Sequence, residues 1–313
     1  MFNRKKNQIK IASLCFLLVS LTIARGDEPV KAEGLIEPVY RVTKQETKTA
    51  PAALVTPNAQ DVVAVVKQPS HPLDAPLQMA EQALTKSRAQ IKDYSAILVK
   101  RERVGGRLGN EEFMQVKIRN EKLAPGGKVA TPFSVYLKYL KPSSLKGREV
   151  IYIKGQNNGK LIAHEGGLKG RFTPSLFLDP NGALAMMGQR YPITDIGIER
   201  LCQKLIRRGR SDRATGMCEV TQQAATINKR PATRIELTHP VKKPQLDFHL
   251  ARIFVDDESG FPVRYEAYDW PATPGSPISQ NELIEEFTYV RLKFNVGLTD
   301  ADFDYKNPKY NMD

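Results

Sequence analysis

The chain has 313 residues, a formal net charge of +13 and 41% hydrophobic residues. That length holds one large domain or two small ones, and the apolar fraction is enough to bury a core, which excludes a wholly disordered chain. The 47 Lys and Arg residues are dispersed and are not gathered into basic runs with aromatics between them, so the composition describes a basic surface without the footprint of a nucleic-acid-binding face.

The N-terminus reads as an export signal. "MFNRKKNQIK" is a basic n-region, "IASLCFLLVSLTIA" an apolar h-region, and a polar stretch follows, so residues 1–26 are predicted to be a cleaved signal peptide. The apolar run is shorter than the roughly 20 residues a permanent anchor needs. Cys15 lies inside that run after Leu14, which is not a lipidation setting. The predicted location is therefore periplasmic or secreted, with at most peripheral contact with a membrane. Residues 27–72, with "KTAPAALVTPNAQ" and "KQPSHPLDAP", are rich in Pro and Ala and poor in aromatics, and read as a flexible linker. A single folded domain is predicted over 73–313.

"DAPLQMAEQALTKSRAQIKDY" has the period of an amphipathic helix, with Asp74 as its cap and Leu77, Ala80, Leu84 and Ile91 near one face. The period then becomes two. "YSAILVKRERV" and "NEEFMQVKIRNEK" flank the turn "GGRLG", and "FSVYLKYL", "REVIYIKG" and "GKLIAHE" follow at short spacing. Residues 166–192 are rich in Gly and Pro and carry Phe172, Phe177, Met186 and Met187, so this segment is expected to fold over the open side of the sheet. "DIGIERLCQKLIRRGRSD" predicts a second helix, capped by Asp195 and ended by Gly209. Five more strands follow, in "GMCEVTQQ", "RPATRIELTH", "FHLARIFVDD", "FPVRYEAYDW" and "ELIEEFTYVRL", with "DDESG" as a hairpin turn that uses Gly260. The count is about ten strands and two helices, without the strand–helix alternation of a parallel sheet. The fold class is α+β, mainly β: a strongly curved antiparallel sheet, an unclosed barrel, wrapped over two or more helices.

The only close pair of acid–base residues is His164–Glu165 in "LIAHEGG". In a strand the two side chains point to opposite faces. A zinc-protease helix would need a second histidine at Leu168, and Gly166–Gly167 oppose a helix there. No metal-ligand spacing, phosphate loop or nucleophile elbow appears, so no cofactor and no metal site is expected and no catalytic residue is assigned. Once the signal is removed, Cys202 and Cys218 remain. An even count in an oxidising compartment predicts one disulfide between them, the alternative being two separate buried thiols. Phe133, Val135, Leu137 and Tyr139 share one strand face, and Tyr265 and Trp270 lie on opposite faces of another strand. Either these residues are plain core or, with Phe172, Phe177 and Met187, they line an apolar cavity.

"IFVDDESGFPVRYEAYD" is similar to a strand–turn–strand segment of the LolA/LolB-like superfamily of periplasmic lipoprotein carriers. "VYLKYLKPSSLKGREVIYIKGQNNGKLIAHEGG" resembles the adjoining strands, and the pattern from about Pro76 to Asn311 resembles a secreted bacterial family of unknown function. The resemblance implies an unclosed antiparallel barrel over helices with an apolar cavity, which carriers of this type use to hold acyl chains. The long linker and the Gly/Met-rich middle segment depart from the carriers. The leading expectation is an exported, non-enzymatic binding protein for a lipid, an acyl chain or a lipidated protein. A second is an envelope module that meets anionic glycan or lipid head groups through its basic surface. A remote third is a hydrolase using His164 and Glu165.

Overall fold

The structure is a computed structural model and describes Pro38, Tyr40–Val42, residues 71–216 and residues 218–312. The expected signal peptide and most of the expected linker lie outside the described residues. The described chain holds the helices α1 (Asp74–Gln90), α2 (Gly167–Gly170) and α3 (Ile198–Thr215). Its strands are β1 (Tyr40–Val42), β2 (Asp93–Val104), β3 (Arg107–Leu108), β4 (Glu112–Arg119), β5 (Lys122–Leu123), β6 (Val129–Thr131), β7 (Ser134–Lys141) and β8 (Glu149–Ile153). They continue with β9 (Leu161–His164), β10 (Leu176–Leu178), β11 (Glu219–Ile227), β12 (Arg230–Thr238), β13 (Leu250–Asp256), β14 (Pro262–Tyr268) and β15 (Leu283–Phe294).

Thirteen of the strands form one antiparallel sheet in the order β1-β11-β12-β13-β14-β15-β2-β4-β7-β8-β9-β10, with β3 paired to β2, while β5 and β6 pair separately. Two meanders, β2 to β10 and β11 to β15, are thus joined side by side where β15 lies against β2, with Phe287 opposite Lys100. The two ends of the sheet do not pair, so the barrel is unclosed. Strand β1, from within the segment read as linker, extends one end by pairing Tyr40 with Ile227, and its ring packs 4.7 Å from Phe254.

The period-two pattern sorts the faces. Val135, Leu137 and Tyr139 of β7 point into the main core with Tyr94, Leu98 and Met114, while Tyr136 points the other way. On that outer side, Tyr136, Ile151 and Ile162 are covered by the C-terminal segment through Phe303, Met312 and Tyr310, whose ring stacks on Tyr136 at 4.3 Å. The "DDESG" turn forms as expected: Asp256 accepts from the Ser259 N–H at 2.8 Å, and Gly260 takes φ +70°.

Four local expectations are corrected. Helix α1 has Leu73 at its N-cap; Asp74 is the first helical residue, and its carboxylate accepts instead from the His71 backbone N–H at 3.1 Å. Asp195 closes a single 3-10 turn, and α3 starts after Gly197, whose neighbourhood supplies the caps from elsewhere. Gly209 does not end α3 but sits inside it, because this is where α1 crosses: a Cβ there would be 2.8 Å from Leu77 Cδ2. The fourth correction is the disulfide. Cys202 and Cys218 are both free, buried thiols in different core clusters. Cys202 lies in the first half of α3, and the chain leaves that helix only after Thr215. At 1.5 Å per residue Thr215 stands roughly 20 Å along the axis from Cys202, and Cys218, three residues further on, packs with Leu73, Leu77 and Phe248 in the second cluster, away from Cys202. Burial pushes the Cys202 thiol up to about 12, which keeps it protonated.

Candidate functional site

Both long helices lie on the concave face. Helix α3 is held at its start by the sheet: the Tyr94 hydroxyl oxygen accepts the Ile198 N–H at 2.8 Å, and the Tyr289 hydroxyl oxygen accepts the Gly197 N–H at 3.1 Å. Two strand tyrosines therefore do the work that a capping side chain in the helix does elsewhere. Ile198, Cys202 and Ile206 face into the core. Leu201, Lys204, Leu205 and Arg208 face space that the sheet does not fill.

That space consists of two cavities. One, about 460 Å³, lies between α1, α3 and strands β12–β14, with Leu77, Ala80, Leu205, Ile235, Ala251 and Ala267 among its walls. The other, about 480 Å³, lies between β2, β4, β7–β9 and the segment before α3, with Leu98, Met114, Leu161, Ala163, Leu176 and Leu184 among its walls. Each falls in the size range of small-molecule sites, about 300–1,000 Å³. They meet at Tyr191, Leu201, Lys204, Tyr265 and Glu285, which line both.

This waist is the polar part of an otherwise apolar groove. Glu285, nearly fully buried, accepts from the Tyr191 hydroxyl at 2.9 Å and from Arg190 Nε at 3.0 Å. Burial pushes its carboxyl above the usual range, while Tyr191 and Arg190 pull it back. Lys204 lies against the Tyr191 ring. Burial drops its ammonium from 10.5 to about 8, with Glu285 opposing the shift. Further into the second cavity, Lys100 bonds Glu102 at 2.8 Å and also contacts Gln189 Oε1, and Glu112 lies 3.4 Å away. Gln189, Arg190 and Tyr191 all come from the Gly/Met-rich segment, so charged strand residues tie that segment to the sheet.

The sequence-selected residues divide between these surfaces. Leu137, Tyr139 and Met187 line the second cavity, and Tyr265 lines the waist. Val135 is fully buried in the core on the same strand face. Phe133 lines a separate, polar groove of about 520 Å³, with the Arg200 guanidinium 5.0 Å over its ring. Phe177 turns to the outer side against Tyr305 at 6.0 Å, and Phe172 stands in solvent. Trp270 donates its indole N–H to the His239 carbonyl at 3.1 Å, just beyond the ends of β14 and β12. His164 and Glu165 are parted as the strand period requires. His164 is buried on the outer side, 3.2 Å from Ser175 Oγ, which itself donates to the Met312 carbonyl. Glu165 sits at the rim of the second cavity, paired with Arg148 at 2.9 Å. Among the described residues no cluster of His, Cys, Asp and Glu has the makings of a metal site.

The waist was missed by sequence reasoning. Its signal was a charge at an inward position: Lys204 between Leu201 and Leu205 on a helix stripe, and Glu285 two and four residues before Phe287 and Tyr289 on a strand.

A family model described as "Protein of unknown function (DUF1571)" matches residues 91–312. No curated protein matches. Among solved structures, the chain is similar to a putative outer membrane lipoprotein-sorting protein domain from Vibrio parahaemolyticus, at 12% identity over 73% of this chain and 95% of that one, with a TM-score of 0.34. It is similar to a LolA superfamily protein from Nitrosomonas europaea, at 11% identity over 72% and 97%, TM-score 0.30. It is also similar to the lipoprotein LppX of Mycobacterium tuberculosis, at 14% identity over 74% and 100%, TM-score 0.38.

Proposed function

We propose, for a chain that belongs to the DUF1571 family, that the concave face binds an apolar ligand, a lipid or the acyl chain of a lipidated protein, in the exported setting its N-terminus suggests. One observation carries this reading: two cavities of about 460 and 480 Å³ with largely apolar walls, joined end to end. Filling them with acyl chain removes apolar surface from water at about 25 cal/mol per Å². The waist supplies the few convergent polar groups that fix a ligand's orientation. This reading is one of binding or carriage; the hydrolase alternative loses its support because His164 and Glu165 stand on opposite sides of the sheet.

The test is titration of the delipidated protein with a fluorescent long-chain fatty acid, together with native mass spectrometry of protein purified from its own envelope. Ala163→Phe and Ala251→Phe put a ring into the second and first cavity respectively. Each is expected to weaken binding at least about tenfold, the loss of roughly 1.4 kcal/mol of contact. A protein that carries no lipid and binds no fatty acid, or whose affinity ignores both rings, defeats the reading.

A further inference from the structure

The mouth of the second cavity is apolar on its outside as well as its inside. Phe172 is 86% exposed, Leu168 74% and Met187 72%. Leu176 and Leu184 are exposed too, and together with Met187 they also line the cavity. One short segment, 168–187, thus holds most of the large apolar side chains that the described residues leave in water, and its outer surface is continuous with the cavity wall. Exposed apolar surface gathered in this way marks a contact site.

The surroundings are basic. Beside the segment the sequence places Lys146, Arg148, Lys169 and Arg171 against two acids, Asp179 and Glu165, the latter paired with Arg148. Arg171 is exposed, and so is Lys146 on the adjoining turn. Gly166 brings that turn against the segment: a Cβ on it would be 2.2 Å from the Lys146 carbonyl oxygen. Leu168 lies on α2 and Phe172 on the turn just after it, next in sequence to the exposed Arg171.

The geometry points to a membrane-docking surface: Leu168, Phe172 and Met187 enter the interfacial region of an anionic lipid bilayer, Arg171 and Lys146 meet its head groups, and the second cavity opens onto the acyl layer. Three features favour a bilayer over a protein partner. Leu168 and Phe172 stand out from the surface and line none of the cavities, so they do not form a groove that a helix or strand could fill. Protruding apolar groups with cations beside them match the layering of acyl region and anionic head groups. The rim residues continue into a cavity whose walls suit acyl chains. The third feature rests on the ligand-binding reading; the docking itself needs only the outer surface.

The test uses the purified protein and sedimentation with sucrose-loaded vesicles, either phosphatidylcholine alone or mixed with phosphatidylglycerol. Binding is expected to the mixed vesicles and to fall at least about tenfold in the variant Leu168→Ser/Phe172→Ser, because burial of these side chains drives insertion. Their exposure keeps the fold out of the result, which circular dichroism checks. In a second measurement, the indole of Phe172→Trp is expected to shift to the blue and to be quenched by brominated acyl chains, while Trp270 alone is not. Binding that is unchanged in the double variant and lost in high salt would reduce the contact to adsorption by charge and overturn the proposal. So would the absence of vesicle binding, including the case where the rim captures a protein instead. Fatty-acid titration in solution separates the two readings: the double variant, whose residues line neither cavity, keeps that affinity, and a protein that docks yet binds no fatty acid sinks only the cavity.

Discussion

Removing one hydroxyl group tests how the groove is built. In Tyr94→Phe the ring stays in the core and the Ile198 N–H loses its acceptor, now 2.8 Å away. Tyr94 is fully buried, so water has no path to replace the bond. An unsatisfied buried donor costs about 1–3 kcal/mol. Loss of a helix N-cap costs about 0.5–2 kcal/mol by a separate route to the same bond. The two describe one interaction and do not add, so a loss of about 1–2 kcal/mol is expected. Tyr289→Phe, at 3.1 Å from the Gly197 N–H, is expected to cost no more. The rings lie 6.4 Å apart edge to face and serve neighbouring N–H groups, so the first turn of α3 frays in either variant. The double variant should then cost less than the sum. Urea denaturation followed by circular dichroism reads this as a fall in midpoint at unchanged slope, and hydrogen exchange at Ile198 should accelerate. A Tyr94→Phe protein within about 0.3 kcal/mol of the parent, the usual scatter of such comparisons, would mean that the sheet does not cap α3.

Two more outcomes test the helices and the waist. Gly209→Val places a branched side chain where even a Cβ meets Leu77 Cδ2 at 2.8 Å; a loss of about 1–3 kcal/mol is expected in thermal unfolding, with part of it restored by adding Leu77→Ala. Equal losses in the single and double variants would place the cost elsewhere. Lys204 carries an ammonium that burial lowers from 10.5 in the unfolded chain to about 8 in the fold. Below about pH 8 both states hold the proton and the cation destabilises the fold. Between about 8 and 10.5 the unfolded chain holds more protons, so stability rises with pH there. Lys204→Met should therefore stabilise the protein at neutral pH by roughly 1–2 kcal/mol, discounted for partial exposure, and the gain should shrink as pH approaches 10. A gain that does not vary between pH 7 and 10 would refute this account of the waist.

The strands were legible because each is a run of alternating side chains between turn residues, and alternation survives whatever the sheet packs against. "FSVYLKYL" reads the same facing helix or solvent, and β7 has the faces its letters predict. The ends of helices were not legible. Asp74 and Asp195 have the right chemistry for caps, but the groups that cap α3 come from Tyr94 and Tyr289, 104 and 92 residues away. Gly209 looks like a stop signal because glycine usually is one; only the crossing of α1 explains it. The cysteines failed for a related reason. Their spacing is legible, but a helix ending at Gly209 is too short, since α3 runs on to Thr215. Residues 166–192 were rightly marked as unusual, yet their composition could not tell which apolar groups point inward, so Met187 lines the cavity while Phe172 stands outside it.

The cavities themselves arise from a feature that hydrophobic patterning does not register. An inward apolar position counts the same in a pattern whether it is large or small, but the space it leaves differs by most of a side chain. On the floor of the first cavity, Ala251 of β13 pairs directly with Ala267 of β14, and the flanking inward residues Ile253 and Tyr265 pair in turn. Two alanines side by side make a depression that the larger neighbours wall. Across from them α1 presents Ala80 and Ala83. In the second cavity Ala163 of β9 and Ala185 of the covering segment do the same. A close-packed interior would fill such positions, because unfilled volume forfeits dispersion contacts on every side. Small residues repeated on both walls of one groove thus leave stability unused, a cost that the proposed binding of an apolar ligand would explain. Read this way, "HLARIF" and "YEAYD" already hold the signal: alanines at inward positions of neighbouring strands, in register.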